Sequence, residues 1–411
     1  MVILSPHIRS YDWGSRTAFS EHFGAEAVTP EPQAEWWFGA HKSGSSSCAD
    51  GQTLAHRINA DPLGELGRTV SDSFGNNLPF LLKLLAVEKP LSLQAHPSLN
   101  QAQLGFRAED RRGIPADAPN RNYRDQNHKP EMLVALTEFH ALAGFRPVRQ
   151  TLELLGAVNA PLLYPYREQL LKQPNDTGLR TVFTHFVRMP HSDVAPVVKD
   201  LASAAFRYLS LKGPTSQWSE VALTAIELAE QYPTDPGVLS SLLLNSLRLR
   251  PGQAVFLGAG QLHAYLKGMG VEVMANSDNV LRGGLTTKHI DVSELINVLH
   301  FRPLEHPRVL EAPVSGGLTG EFGYPASVPD FELSRIDVAP RTATICYRPN
   351  GPEILLCTAG SVLVTKEGAT DTIVSGQAVW LPARTRQVSV KSRRGGSVFR
   401  ARVGLEGRHL A

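Results

Sequence analysis

Gln94 and His96 stand two residues apart in Leu91-Ser92-Leu93-Gln94-Ala95-His96-Pro97, inside a stretch that otherwise reads as buried strand. Alternate side chains of an extended chain share a face, so an amide and an imidazole are aimed together at whatever that face encloses. Burying both is costly unless each finds a partner, and a metal cation is one such partner. Two further donors follow along the chain: Glu131 in His128-Lys129-Pro130-Glu131, and His263 closing Gly260-Gln261-Leu262-His263. Two imidazoles, an amide oxygen and a carboxylate suit Zn²⁺, which accepts nitrogen and oxygen ligands and keeps a position open in catalytic sites. With neutral imidazoles the centre would keep positive charge, able to stabilise a developing oxyanion. A lone strand histidine usually just fills a core; the gathering of four donors carries the metal reading.

Two segments add cations. Pro130 holds the residue before it extended, so Lys129 shares a face with Glu131 while His128 takes the other. A lysine beside a metal-bound carboxylate could bind phosphate or move a proton. Ser277-Asp278-Asn279-Val280-Leu281-Arg282-Gly283-Gly284-Leu285-Thr286-Thr287-Lys288 sets glycines beside an arginine, two hydroxyls and a lysine. That composition suits an anion cradle, with a guanidinium able to grip an oxyanion at two points. The P-loop spacing is missing, as are GxSxG, a paired HxxxH and a GxGxxG set between strand and helix.

These residues need a scaffold. The apolar run from Leu81 to Leu93, broken only at Lys83, Glu88-Lys89-Pro90 and Ser92, predicts buried strand, and the first 150 residues are β-rich with loops. From about 150 to 235 the period turns helical, notably over Val197–Leu211 and Val221–Tyr232, with Ser219-Glu220 as a cap and Asp235-Pro236-Gly237 as the end. Strand alternation resumes through Leu242, Leu244, Leu247 and Leu249. The helical block thus interrupts one β domain. Gly252-Gln253-Ala254-Val255-Phe256-Leu257-Gly258-Ala259 also matches Gly376-Gln377-Ala378-Val379-Trp380-Leu381-Pro382-Ala383 at six of eight positions. A duplicated jelly-roll barrel of cupin type would supply such units. Gln387 stands in the second copy at the offset of His263, so only the first keeps a metal ligand.

Bulk properties narrow the class. The 411 residues suit two or three domains. A formal net charge of +2 gives no reason to expect a nucleic-acid or membrane partner. Three cysteines, Cys48, Cys346 and Cys357, cannot all pair and form no CxxC, which favours a reducing cytosol. The apolar start is too short for a signal sequence, and no window is long enough to span a bilayer. A soluble, cytoplasmic chain is expected.

Five segments together resemble the type I mannose-6-phosphate isomerases (phosphomannose isomerases). They are Tyr11-Asp12-Trp13-Gly14-Ser15, Ala34–His41, Pro90–Pro97, Asn122–Glu131 and His263–Lys288, of which the Asn127–Glu131 and Ser277–Lys288 strings are the most specific. The resemblance implies zinc held by Gln94, His96, Glu131 and His263, and Arg282 as a catalytic residue. Lys129 and Asp278 match polar active-site positions, and Trp13, Ser92, Tyr265, Glu272 and Lys288 are expected to line the substrate pocket. It further implies a mainly β fold: a metal-bearing cupin-type barrel (1–150 with 236–310), an inserted helical domain (151–235) and a C-terminal barrel-like domain (311–411). Ala95, Trp36-Trp37 and Ala143–Arg146 depart from the family pattern and concern packing. The implied reaction interconverts mannose 6-phosphate and fructose 6-phosphate through a cis-enediol(ate), in a monomer, supplying mannose 6-phosphate for GDP-mannose. Lys129, Asp278 and a hydroxide on the metal all remain admissible as the base. Rival readings are a cupin enzyme on another substrate and a sugar-binding cupin whose metal is structural.

Overall fold

Leu81, Leu82, Leu84 and Leu85 do form a strand, Phe80–Val87, with every residue buried. The computed structural model describes residues 1–24, 28–340 and 344–404. The strands around the site are β1 (Glu35–Phe38), β2 (Phe80–Val87), β3 (Leu93–Ala95), β4 (Glu131–Ala135) and β5 (Phe139–Phe145). After the helical region come β6 (Leu244–Leu249), β7 (Ala254–Leu257), β8 (His263–Ala275) and β9 (Leu281–Gly284). Glu88-Lys89-Pro90 ends β2, because proline cannot continue the ladder, and β3 starts after it.

β8 links two layers. Its first half pairs with β5 and, through His263 opposite Gln94, with β3. Its second half pairs with β2 and β4. The bend falls at Gly268, whose φ of 124° suits glycine and where a Cβ would lie 2.5 Å from the Glu138 carbonyl oxygen. The layers enclose a shared core of Leu85, Val87, Leu133, Ala135, Phe139, Ala141, Leu247, Val255 and Tyr265. By strand alternation, Lys83 and Glu131 lie on this inward face.

A second sheet contains β10 (Glu332–Val338), β11 (Glu353–Lys366), β12 (Ala378–Leu381) and β13 (Gly396–Arg402). The N-terminal strand Val2–Ser5 belongs here, Ile3 opposite Val379, and not to the metal-bearing sheet where the sequence reading puts residues 1–150. Its apolar side chains extend the core beside β12.

The repeat is structural. Gly252 and Gly376 turn at φ 86° and 85°. Gln253 and Gln377 accept, through their side-chain oxygens, the N–H of Arg250 and of Val374. Their carbonyls accept N–H groups from Ala135 and Cys357, both at 2.9 Å.

Helix and strand contribute 30% and 31%, so the chain is less β-rich than its sequence suggests. Helices Leu54–Ala60, Pro62–Leu66, Arg68–Phe74 and Leu99–Arg111 fall where loops are expected. The last carries a Ser98/Gln101 capping box, a signal present in the sequence. The helical region packs on the outside of β3, β5 and β9 through His191–Lys212, Ser219–Gln231 and their neighbours. Ser219 is not the cap: Trp218 takes that place, and the Ser219 hydroxyl donates to the Ser216 carbonyl. Asp235-Pro236-Gly237 starts a further helix, Gly237–Ser241, since the fixed φ of proline suits a first turn.

Candidate metal centre and active site

His96, Glu131 and His263 converge, with one potential ligand atom from each lying within 4.8 Å of the others. All three are buried. His96 Nε2 lies 3.4 Å from Glu131 Oε1, and His263 Nε2 lies 3.4 Å from Oε2. The other ring nitrogens fix the tautomers. His96 Nδ1 sits 2.7 Å from the Asn279 carbonyl and His263 Nδ1 sits 3.0 Å from that of Gln261. Carbonyls only accept, so both Nδ1 atoms carry a proton, and in a neutral imidazole that leaves Nε2 as the lone-pair nitrogen facing the carboxylate. Both Nε2 atoms and Glu131 Oε2 are buried without a hydrogen-bond partner. Such orphaned acceptors facing one another are stabilised by a cation between them. Burial pushes the His96 pKa down to about 4, keeping the imidazole neutral as a ligand must be. Burial opposes charge on Glu131 too, but the Lys129 ammonium, 3.0 Å from Oε1, helps hold it well below the usual carboxylate range.

Gln94 lies opposite His263 on one side and Arg282 on the other. Directly paired residues face the same way, so Arg282, Gln94 and His263 form a row across β9, β3 and β8. Gln94, Glu131 and Arg282 all line one cavity of about 920 Å³. The expected residues Trp13, Ser92, Lys129, Tyr265, Glu272, Asp278 and Lys288 line it as well. Lys129 and Glu131 share a face as the sequence predicts, and His128 turns away to Asp330, 2.8 Å off.

Several participants escape sequence reasoning. Asn279 is fully buried, and its side-chain oxygen accepts from the N–H groups of Arg124 and Asp125. Its amide donates to the carbonyls of Asp125 and Asn127, at 2.9 and 2.8 Å. One residue thus binds the 124–127 loop through its side chain and orients His96 through its carbonyl. Arg124, Arg282 and Lys288 crowd one another: burial and then Arg124 lower the pKa of Arg282, and burial, then Arg282 and Arg124, lower that of Lys288. Among the described residues no carboxylate lies within ion-pair distance of these three, so the cluster favours an anion. Lys83 pairs with Glu272 at 3.0 Å and Glu35 at 3.8 Å, and the Tyr265 hydroxyl donates to Glu272. Burial works against charge on Lys83, but Glu272 and Glu35 raise its pKa above the ordinary value. Its signal in the sequence is a charge at an inward position of a buried strand.

Asp278 accepts from the Ser43 hydroxyl at 3.1 Å and lies 3.6 Å from both His41 Nε2 and Lys42 Nζ. Burial opposes its charge, yet these neighbours hold its pKa below the usual value. His41 is itself buried and its Nδ1 accepts the Ser43 N–H.

Comparison with known proteins places the chain among sugar-phosphate isomerases. Residues 1–148 match the family "Phosphomannose isomerase type I, catalytic domain". The mannose-6-phosphate isomerase of Escherichia coli K12 is 37% identical over 95% of this chain and 97% of its own. That of Arabidopsis thaliana is 33% identical over 98% and 93%. A Salmonella typhimurium mannose 6-phosphate isomerase, crystallised with fructose 6-phosphate and zinc, superposes with a TM-score of 0.88 at 34% identity, over 98% of this chain and 100% of its own. Matched along nearly its whole length, the chain belongs to the mannose-6-phosphate isomerase family, type I.

Proposed function

We propose that the cavity isomerises mannose 6-phosphate and fructose 6-phosphate through a cis-enediol(ate), with zinc held by Gln94, His96, Glu131 and His263. The observation that carries this is the pair of buried Nε2 atoms, without a hydrogen-bond partner, facing Glu131. Zinc bound there supplies Lewis-acid polarisation of substrate oxygens. Arg124, Arg282 and Lys288 cluster at the cavity with no described carboxylate at ion-pair distance, suited to a phosphate and to enediolate charge. Fixed charge placed where negative charge develops is usually the largest catalytic contribution. Of the two candidate proton carriers, Lys129 lies against the ligand set through Glu131, whereas Asp278 faces Ser43, His41 and Lys42. Lys129 is therefore the residue we assign to proton transfer between C1 and C2. Trp13, Ser92, Tyr265 and Glu272 shape the pocket around the open-chain sugar.

On this reading the two sheets are cupin-type barrels, the first metal-bearing and the second not, with the helical region inserted in the first. The product mannose 6-phosphate would feed GDP-mannose synthesis, the enzyme acting as a cytoplasmic monomer. No helix among the described residues is long and apolar enough to cross a membrane. The deciding experiment is a coupled assay on mannose 6-phosphate before and after chelation, with zinc added back. Turnover should vanish and return; turnover indifferent to chelator removes the metal from the reaction.

A further inference from the structure

We infer that Asp330, a residue of the second half of the chain, positions Lys129 through His128. This rests on the reading of Lys129 as the proton carrier. The segment Asn127–Glu131 is pinned at both ends of a short span. The Asn127 carbonyl accepts from the Ser277 hydroxyl at 3.1 Å and from the Asn279 amide at 2.8 Å. The Pro130 carbonyl accepts the Ala275 N–H at 3.1 Å. Between these points the outward anchor is the His128 side chain, whose Nε2 meets Asp330 Oδ2 at 2.8 Å. Asp330 is buried and sits just ahead of Phe331, a fully buried member of the core shared by the two sheets.

Because successive side chains of an extended segment point oppositely, clamping His128 outward sets the roll of the chain that aims Lys129 inward. Glu131 needs no such help, being fixed by pairing with Leu257 and Met274. Loss of the anchor should therefore misplace Lys129 and leave the metal ligands where they are. Asp330 is a positioning residue, and it gives the second sheet a part in catalysis.

The test is a double-mutant cycle in the full-length zinc-loaded enzyme, with Asp330→Ala, Lys129→Ala and the pair. Asp330→Ala should lower kcat by about tenfold, as small misplacements of a reacting group do, with zinc content and KM unchanged. Asp330→Asn retains an acceptor for His128 and should restore most of the rate. In the Lys129→Ala background, Asp330→Ala should cost nothing further. If it costs the same factor in both backgrounds, or if Asp330→Asn is as slow as Asp330→Ala, the positioning role is wrong while Lys129 stands. Wild-type kcat in Lys129→Ala would instead overturn the assignment of Lys129 itself.

Discussion

Glu353 holds in the second sheet the register position that Glu131 holds in the first. Glu131 pairs with Leu257 and Met274, and Glu353 pairs with Leu381 and Arg402, at matching distances from the repeated Gly-Gln turns. The same alignment sets Arg400, opposite Leu355, where the first sheet has Glu272, opposite Leu133. Glu353 is fully buried, and Arg400 donates to it through Nε at 2.9 Å and through a terminal nitrogen at 2.5 Å. Tyr347 adds its hydroxyl at 3.0 Å. The carboxylate of the second sheet is held at two points by a guanidinium and by a hydroxyl, whereas Glu131 has one ammonium, from Lys129, and faces two imidazole nitrogens. The same register position is thus neutralised in two ways.

That difference predicts separable behaviour. Arg400→Met leaves Glu353 buried and unpaired, and should destabilise the fold by about 3–5 kcal/mol. Adding Glu353→Leu should recover part of that loss, because an apolar pair replaces the ionic one while Glu321, which also accepts from Arg400 at 3.2 Å, is left with Ser334 and the Leu318 N–H. Urea unfolding measures both, and zinc content of the folded fraction should stay constant. Equal stability of Arg400→Met and wild type would show that the pair contributes little.

The gathering of His96, Glu131 and His263 was legible in part, because the pattern around each is local. Gln94 and His96 on a buried strand, and Lys129 and Glu131 around Pro130, announce themselves by alternation. The Gly-Gln-Ala-Val repeat likewise forecast two equivalent turns. Asn279, Arg124 and Lys83 act through partners about fifty to nearly two hundred positions away, so no spacing rule reveals them. Val2–Ser5 crosses to the other sheet for the same reason: pairing partners are a property of the fold. The helices between Leu54 and Phe74 are short, and their turn-forming residues conceal the period.

Removing a ligand should remove the metal before it removes the fold. His96→Ala and His263→Ala should each purify with little zinc by elemental analysis and with activity near background. Both should keep the secondary structure of wild type by circular dichroism, since β3 and β8 are held by backbone ladders. Stoichiometric zinc in either variant would exclude that histidine from the centre.

Asn279→Ala cuts the side-chain bonds to the 124–127 loop but leaves the carbonyl that faces His96. The orphaned N–H and C=O groups should cost about 1–3 kcal/mol of stability. Because loosening this loop also loosens His96, zinc affinity should fall by about tenfold to a hundredfold, the range seen when outer partners of ligands are lost. Competition with a fluorescent chelator reads the second effect independently of turnover.

Arg282→Ala should lower kcat by about a hundredfold or more with zinc retained. Arg282 shares a row with Gln94 and His263 but is no ligand, so metal content and rate should separate. If its work is mainly on the phosphate, KM for mannose 6-phosphate will carry the loss while kcat holds. If it stabilises enediolate charge, kcat and kcat/KM fall together, which is the outcome its place beside Gln94 predicts.

Acid should weaken the fold through His41. Burial chiefly lowers its pKa from 6.5 to about 4, with Asp278 only partly opposing the shift. Between those values the unfolded chain takes up a proton at this position and the folded chain does not. Its contribution is therefore complete above pH 6.5 and is lost as the pH falls through 4. Urea midpoints should drop from pH 7 to pH 5 in wild type and drop less in His41→Gln, where nothing titrates. The same slope in both would place the acid sensitivity elsewhere, since it is the difference between the two proteins that isolates His41.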